Sequence, residues 1–206
     1  MTKVKICGIT TSADARVAVE AGADMIGVIF YPPSPRYVTP EQAQAIVASL
    51  PSGFPAVGVF VNASVDTMTR VAQASGVQIV QLHGDESPAM CQQLPWRVLK
   101  TFRFTAQVQP EMMQQYTVEA FLIEGFHADV YGGGGARADW QRVAALHHYG
   151  RIILAGGLTP ENVREAIRIV RPYAVDVCSG VEATPGTKDW HKVQTFIRNA
   201  KDVVVS

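Results

Sequence analysis

Cysteine is scarce in this chain: Cys7, Cys91 and Cys178 are the only three in 206 residues. An odd number at wide spacing excludes a complete disulfide framework. With no CxxC pair and no Cys/His cluster, a structural zinc site is not expected and the reading carries no metal. No apolar run reaches the ~18 residues of a membrane span. Neither sign of charge is in excess, since 18 Lys and Arg balance 18 Asp and Glu, so the basic footprint of a nucleic-acid binder is missing. The first residues lack the apolar stretch and cleavage site of a signal peptide. The expectation is a cytoplasmic protein that engages neither nucleic acid nor membrane. Tryptophan is also rare, and Trp96, Trp140 and Trp190 read as packing residues rather than an interface, which leaves monomer and homodimer both open. No linker or shift in composition interrupts the chain, so residues 1–206 read as one domain.

What is present is alternation. Short β-branched runs begin at Val4, Met25, Ala56, Val77, Val98, Ala120, Arg151 and Ala174, about 24 residues apart, and their near-continuous apolarity suits strands covered on both faces. Between them lie helix-like stretches with start signals. Thr11-Ser12-Ala13-Asp14 opens one, and Thr39-Pro40-Glu41 and Thr159-Pro160-Glu161 place Pro in a first turn. Glu86-Ser87-Pro88 precedes another, and Asp139-Trp140 and Asp189-Trp190 begin two more with Asp as the cap. The segment from Thr105 to Val118 is the poorest helix, because Pro110 lies inside it. Eight strand–helix units predict an α/β fold closed into a (β/α)8 TIM barrel. An open doubly wound sheet is the rival, but no GxGxxG follows the first strand.

In such a barrel the active site lies at the C-terminal ends of the strands. Gly156-Gly157 after strand seven and Ser179-Gly180 after strand eight occupy the two loops that most often bind phosphate, which predicts a phosphorylated small molecule as partner. The alternative is that these glycines only turn the chain. Gly132-Gly133-Gly134-Gly135 reads either as a mobile lid or as a solvated linker. Cys7 and Glu124, ending strands one and six, are candidate base and acid: a thiol serves if nearby charge lowers its pKa, and a carboxyl if desolvation keeps it protonated. A buried, inert Cys7 is the competing reading. Arg36, in the stiff Pro32-Pro33-Ser34-Pro35-Arg36 loop, suits a carboxylate or phosphate, or else a surface ion pair. His83 is either a substrate contact or a packing residue. Asp176 shares a strand face with Cys178, so both point to the barrel interior. Cys178 and Cys91 are read as small core fillers.

These residues sit in an order that resembles the phosphoribosylanthranilate isomerases of tryptophan biosynthesis, from Lys3 to about Lys201. The resemblance rests on Lys5-Ile6-Cys7-Gly8-Ile9-Thr10, Ser34-Pro35-Arg36-Tyr37, Gly58-Val59-Phe60-Val61-Asn62 and Val80-Gln81-Leu82-His83-Gly84. It continues in Gly156-Gly157-Leu158-Thr159-Pro160-Glu161-Asn162, Val175-Asp176-Val177-Cys178-Ser179-Gly180-Val181-Glu182 and Pro185-Gly186-Thr187-Lys188-Asp189. It implies an Amadori rearrangement without a cofactor, with Cys7 as general base. Arg36 would hold the anthranilate carboxylate, and His83 and Asp176 would contact the substrate. Gly156, Gly157, Ser179 and Gly180 would hold its phosphate. The family usually ends strand six with Asp; this chain has Glu124, whose extra methylene moves the carboxyl outward by ~1.5 Å. Asp129 is the alternative acid. Two rivals stand beside this reading: another sugar-phosphate barrel enzyme with a different acid–base pair, and a catalytically inert barrel that senses a phosphorylated metabolite.

Overall fold

The apolar runs become eight parallel strands, each hydrogen-bonded to its sequence neighbour, with the last paired to the first. In the computed structural model, which describes residues 1–104, 110–125 and 139–203, they are β1 (Lys3–Ile6), β2 (Met25–Ile29), β3 (Ala56–Phe60), β4 (Ile79–Leu82), β5 (Arg97–Phe104), β6 (Ala120–Gly125), β7 (Ile152–Leu154) and β8 (Ala174–Val177). The order β1 to β8 forms a closed barrel, the (β/α)8 fold that the alternation predicts. Closure brings the two ends of the chain together: Lys5 pairs in register with Asp176 and Ile6 with Val177.

The helices are α1 (Ser12–Glu20), α2 (Pro40–Ala48), α3 (Val65–Ser75), α4 (Pro88–Gln92), α5 (Trp140–Ala144), α6 (Val163–Val170) and α7 (Trp190–Lys201). Most starts follow the sequence signals. However, α6 begins at Val163 behind Asn162, so Thr159 does not cap it and Pro160 lies ahead of its first turn, and the Ser64 start of α3 was not read from the sequence. Thr39 and Gln42 form a reciprocal capping box with Pro40 in the first turn, which satisfies amide hydrogens that a helix end leaves unpaired. Thr11, Ser64, Ser87, Asp139 and Asp189 each accept from a main-chain N–H of the first turn. At the segment disfavoured for a helix, Pro110–Gln115 is a 3-10 turn. Its preceding residues, 105–109, lie outside the described residues. One element has no counterpart in the sequence reading: a short antiparallel hairpin after β8, of β9 (Glu182–Thr184) and β10 (Thr187–Lys188).

Alternation along the strands divides the side chains. Val4, Ile6, Ile26, Val28, Val80, Ile123, Leu154 and Val175 face outward under the helices. Met25, Val57, Ile79, Leu99, Leu122, Ile153 and Ala174 fill the inside. Each such side chain contributes roughly 1.5–3 kcal/mol by leaving water. Further toward the C-terminal ends the fully apolar packing stops. Lys5, Gln81, Thr101 and Asp176, all on interior-facing positions, are buried there. Buried polar groups are costly without partners, so this polar layer marks where the fold serves a site. No helix among the described residues is long and apolar enough to cross a membrane.

Candidate active site

Two clusters face each other over the polar layer. The first is built from β1, β8 and the hairpin. Lys5 Nζ donates to Asp176 Oδ1 at 2.9 Å, with the lysine side chain wholly buried. Gly27 on β2 leaves the room for this: a Cβ there would lie 2.8 Å from Cys7 Sγ and 3.0 Å from Lys5 Nζ. The same figures place the Cys7 sulfur and the Lys5 ammonium over one spot. Cys7 and Cys178 are free thiols. The Cys7 thiol is held well below the ordinary thiol range by a hydrogen bond from Cys178 and by the Lys5 ammonium, which together outweigh the opposing effect of burial. Cys178 keeps its proton correspondingly longer. Burial opposes the charge on Lys5, but Asp176 and Cys7 more than offset it, and its pKa rises. Burial pushes Asp176 up to about 6 despite Lys5.

The hairpin completes this side. Arg36 is buried, and its Nε and Nη2 donate to Glu182 Oε1 and Oε2 at 2.8 and 2.7 Å. Lys188 Nζ reaches Glu182 Oε1 and the Cys178 carbonyl, both at 3.1 Å. Burial disfavours the Glu182 charge, but Arg36 and Lys188 hold its pKa below the usual range. Arg36 is thus an ion-pair residue, but in the interior rather than on the surface. Glu182 occupies two of its five N–H donors and leaves the rest of the guanidinium for another acceptor.

The second cluster comes from β4, β5 and β6. Glu124 and His83 are both buried, and His83 Nε2 lies 3.0 Å from Glu124 Oε1. On the other side of the ring, His83 Nδ1 lies 3.0 Å from Gln81 Nε2 and 3.1 Å from Thr101 Oγ1. Gln81 Nε2 also donates to Thr101 Oγ1 at 3.3 Å. Beneath the loop, Glu86 accepts from the main-chain N–H of Asn62 and Gly84 and pairs with the buried Lys100 at 2.7 Å, which anchors the segment carrying His83.

Between the clusters lie the loops after β7 and β8. Gly156 and Gly157 both have positive φ, 81° and 63°, and Ser179–Val181 forms a 3-10 turn. The two loops touch so closely that a Cβ on Gly180 would fall 1.9 Å from the Leu158 carbonyl oxygen. Asn162 ties the first loop down by donating to the Gly157 carbonyl and accepting from Thr159 N–H, each at 2.8 Å. Gly156, Gly157, Ser179 and Gly180 stay partly accessible. Turns of this kind present main-chain N–H groups to an anion.

Cys7, Glu124, Arg36, His83, Asp176 and the two phosphate-loop pairs all lie at the C-terminal end of the barrel. Asp129 and the Gly132–Gly135 run lie outside the described residues. Lys5, Gln81, Thr101, Glu182 and Lys188 were missed by sequence reasoning. A charged or amide residue at an interior-facing strand position, as in Lys5 and Gln81, was the available signal.

Fold and site together define an enzyme on a (β/α)8 barrel, with a thiol and a carboxyl ending different strands and glycine loops after β7 and β8. The profile of the N-(5'-phosphoribosyl)anthranilate isomerase family matches residues 4–199, and the chain belongs to that family. It is 49% identical to the isomerase of Citrifermentans bemidjiense over 205 residues, all of both chains. Monomers generated from the dimeric isomerase of Thermotoga maritima superpose with a TM-score of 0.85 at 39% identity, over 98% of this chain and 100% of that one. A phosphoribosylanthranilate isomerase in complex with reduced 1-(o-carboxyphenylamino)-1-deoxyribulose 5-phosphate matches with the same TM-score, identity and coverage.

Proposed function

We propose that Cys7 and Glu124 are the base and acid with which this isomerase of tryptophan biosynthesis converts N-(5-phosphoribosyl)anthranilate to 1-(2-carboxyphenylamino)-1-deoxyribulose 5-phosphate. The observation that carries the assignment is the pairing of a thiol set beside a buried ammonium with a carboxyl held by His83, both at the barrel mouth. Glu124 gives its proton to the furanose ring oxygen, the C1–O bond breaks, and a Schiff-base-like cation forms. The Cys7 thiolate takes the C2 proton, the electrons move into C1–C2, and the resulting enolamine tautomerises to the ketone. One proton is given and one is taken, so no redox partner is needed. Asp176 and His83 face the sugar. The donors of Arg36 not taken by Glu182 receive the anthranilate carboxylate. The main-chain N–H groups of Gly156, Gly157, Ser179 and Gly180 receive the phosphate.

The test is a fluorescence assay for consumption of phosphoribosylanthranilate. Cys7→Ala folds normally and loses about 100-fold or more in kcat, the range for a lost acid–base group. Glu124→Gln loses a similar factor whereas Asp129→Asn does not. If Asp129→Asn alone is inactive, Asp129 is the acid.

A further inference from the structure

We infer that Gln81 and Thr101 are positioning residues for the acid, which lock His83 in the tautomer that carries its hydrogen on Nε2 and so aim the Glu124 carboxyl. The inference rests on Glu124 being the acid. An amide nitrogen can only donate, so Gln81 Nε2, 3.0 Å from His83 Nδ1, makes that ring nitrogen an acceptor. The second amide hydrogen goes to Thr101 Oγ1 at 3.3 Å. Having accepted there, the Thr101 hydroxyl directs its own hydrogen at Nδ1, 3.1 Å away. Both neighbours donate to the same atom. The ring hydrogen is therefore on Nε2, and Nε2 donates to Glu124 Oε1 at 3.0 Å. Oε1 being engaged, the proton that Glu124 delivers sits on Oε2.

The amide orientation has a physical ground. As placed, both Gln81 hydrogens are used, and of the amide's own polar atoms Oε1 alone is buried without a partner among the described residues. Turned over, the amide would leave two buried hydrogens unpaired, and orphaned N–H groups are rarer in folded proteins than under-satisfied carbonyls. The turned amide would also move the ring hydrogen to Nδ1. Glu124 would then have to give its proton to His83, where it is useless to the sugar. Gln81 is nearly inaccessible and Thr101 is buried, so neither contributes by general surface polarity.

The experiment uses the full-length chain with 15N-labelled histidine. The His83 signals are assigned by their loss in His83→Asn. Steady-state kinetics are run on Gln81→Met, Thr101→Val, the double variant, Thr101→Ser and Glu124→Gln. The expected result is a wild-type His83 with unprotonated Nδ1 and protonated Nε2, and a mixture of tautomers in the double variant. In that variant kcat falls about 10- to 100-fold, as for a slightly misaimed catalytic group, while KM stays within about twofold. Thr101→Ser, which keeps the hydroxyl, behaves as wild type. A protonated Nδ1 in the wild-type spectrum, or a double variant with wild-type kcat, overturns the inference. If the double variant does not fold, the wild-type spectrum and the single variants decide in the same way. Full turnover by Glu124→Gln removes the acid assignment itself. An inactive Glu124→Gln beside a fully active double variant removes only the lock.

Discussion

At the scale of single residues, the chemistry depends on charges placed where an isolated charge would be unaffordable. Lys5 is wholly buried, and its ammonium is matched by Asp176 at 2.9 Å while it also favours the Cys7 thiolate. Lys5→Met removes a cation beside the sulfur, so the thiol pKa rises and the acidic limb of the kcat/KM profile moves to higher pH. An unmoved limb would detach Lys5 from the base. The same substitution leaves a buried carboxylate alone, a defect of about 3–5 kcal/mol. Its pH dependence has a definite sign. Asp176 already stands at about 6 in the folded protein with Lys5 present, above the ordinary aspartate value, and losing Lys5 drives it higher. A carboxyl protonated more readily in the folded state supports folding at low pH, and that support disappears as pH rises through the folded pKa. Urea unfolding of Lys5→Met is therefore expected to show the larger deficit against wild type at about pH 8 and the smaller at about pH 5.

At the scale of elements, contact between the loops after β7 and β8 shapes the proposed phosphate site. Gly180 has no space for a side chain beside the Leu158 carbonyl, so Gly180→Ala must separate the loops. The expected outcome is KM raised about tenfold or more with a smaller change in kcat, because in the proposed site these loops meet the phosphate rather than the reacting carbons. A phosphate-free analogue, bound equally by both proteins, is the control. Elements also differ in how well the sequence announces them. The strands were legible because burial on both faces requires unbroken apolarity, and the caps because only a few side chains satisfy a first turn. The β9–β10 hairpin was not, since Glu182–Thr184 and Thr187–Lys188 are too short and polar for a strand pattern and owe their place to Lys188, Glu182 and Arg36. In the site, Cys7, His83 and Glu124 were visible as reactive groups ending apolar runs. Their partners were hidden: Lys5 makes sense only beside Asp176, 171 positions away, and Gln81 only once Thr101 and His83 flank it.

At the scale of the whole molecule, the outward-facing side of the barrel and the helices share one continuous apolar core. The cysteines Cys7, Cys91 and Cys178 carry no disulfide. Thermal unfolding should thus be indifferent to reductant. Inorganic phosphate, if held by the glycine loops, binds the folded state alone, and at about 100 times its Kd it adds about 2.7 kcal/mol. For a chain of this size that raises Tm by about 5–10 °C, and Gly180→Ala should show a smaller rise. Equal rises in both proteins would place the anion elsewhere.

The seam between β1 and β8 joins residues near the start of the polypeptide to residues near its end. During synthesis, the lysine emerges from the ribosome long before its aspartate exists. A nascent chain halted ahead of β8 carries the sulfur of Cys7 beside Lys5 but without Cys178, whose hydrogen bond does most to lower that thiol. The full lowering of this thiol therefore waits for the closing strand.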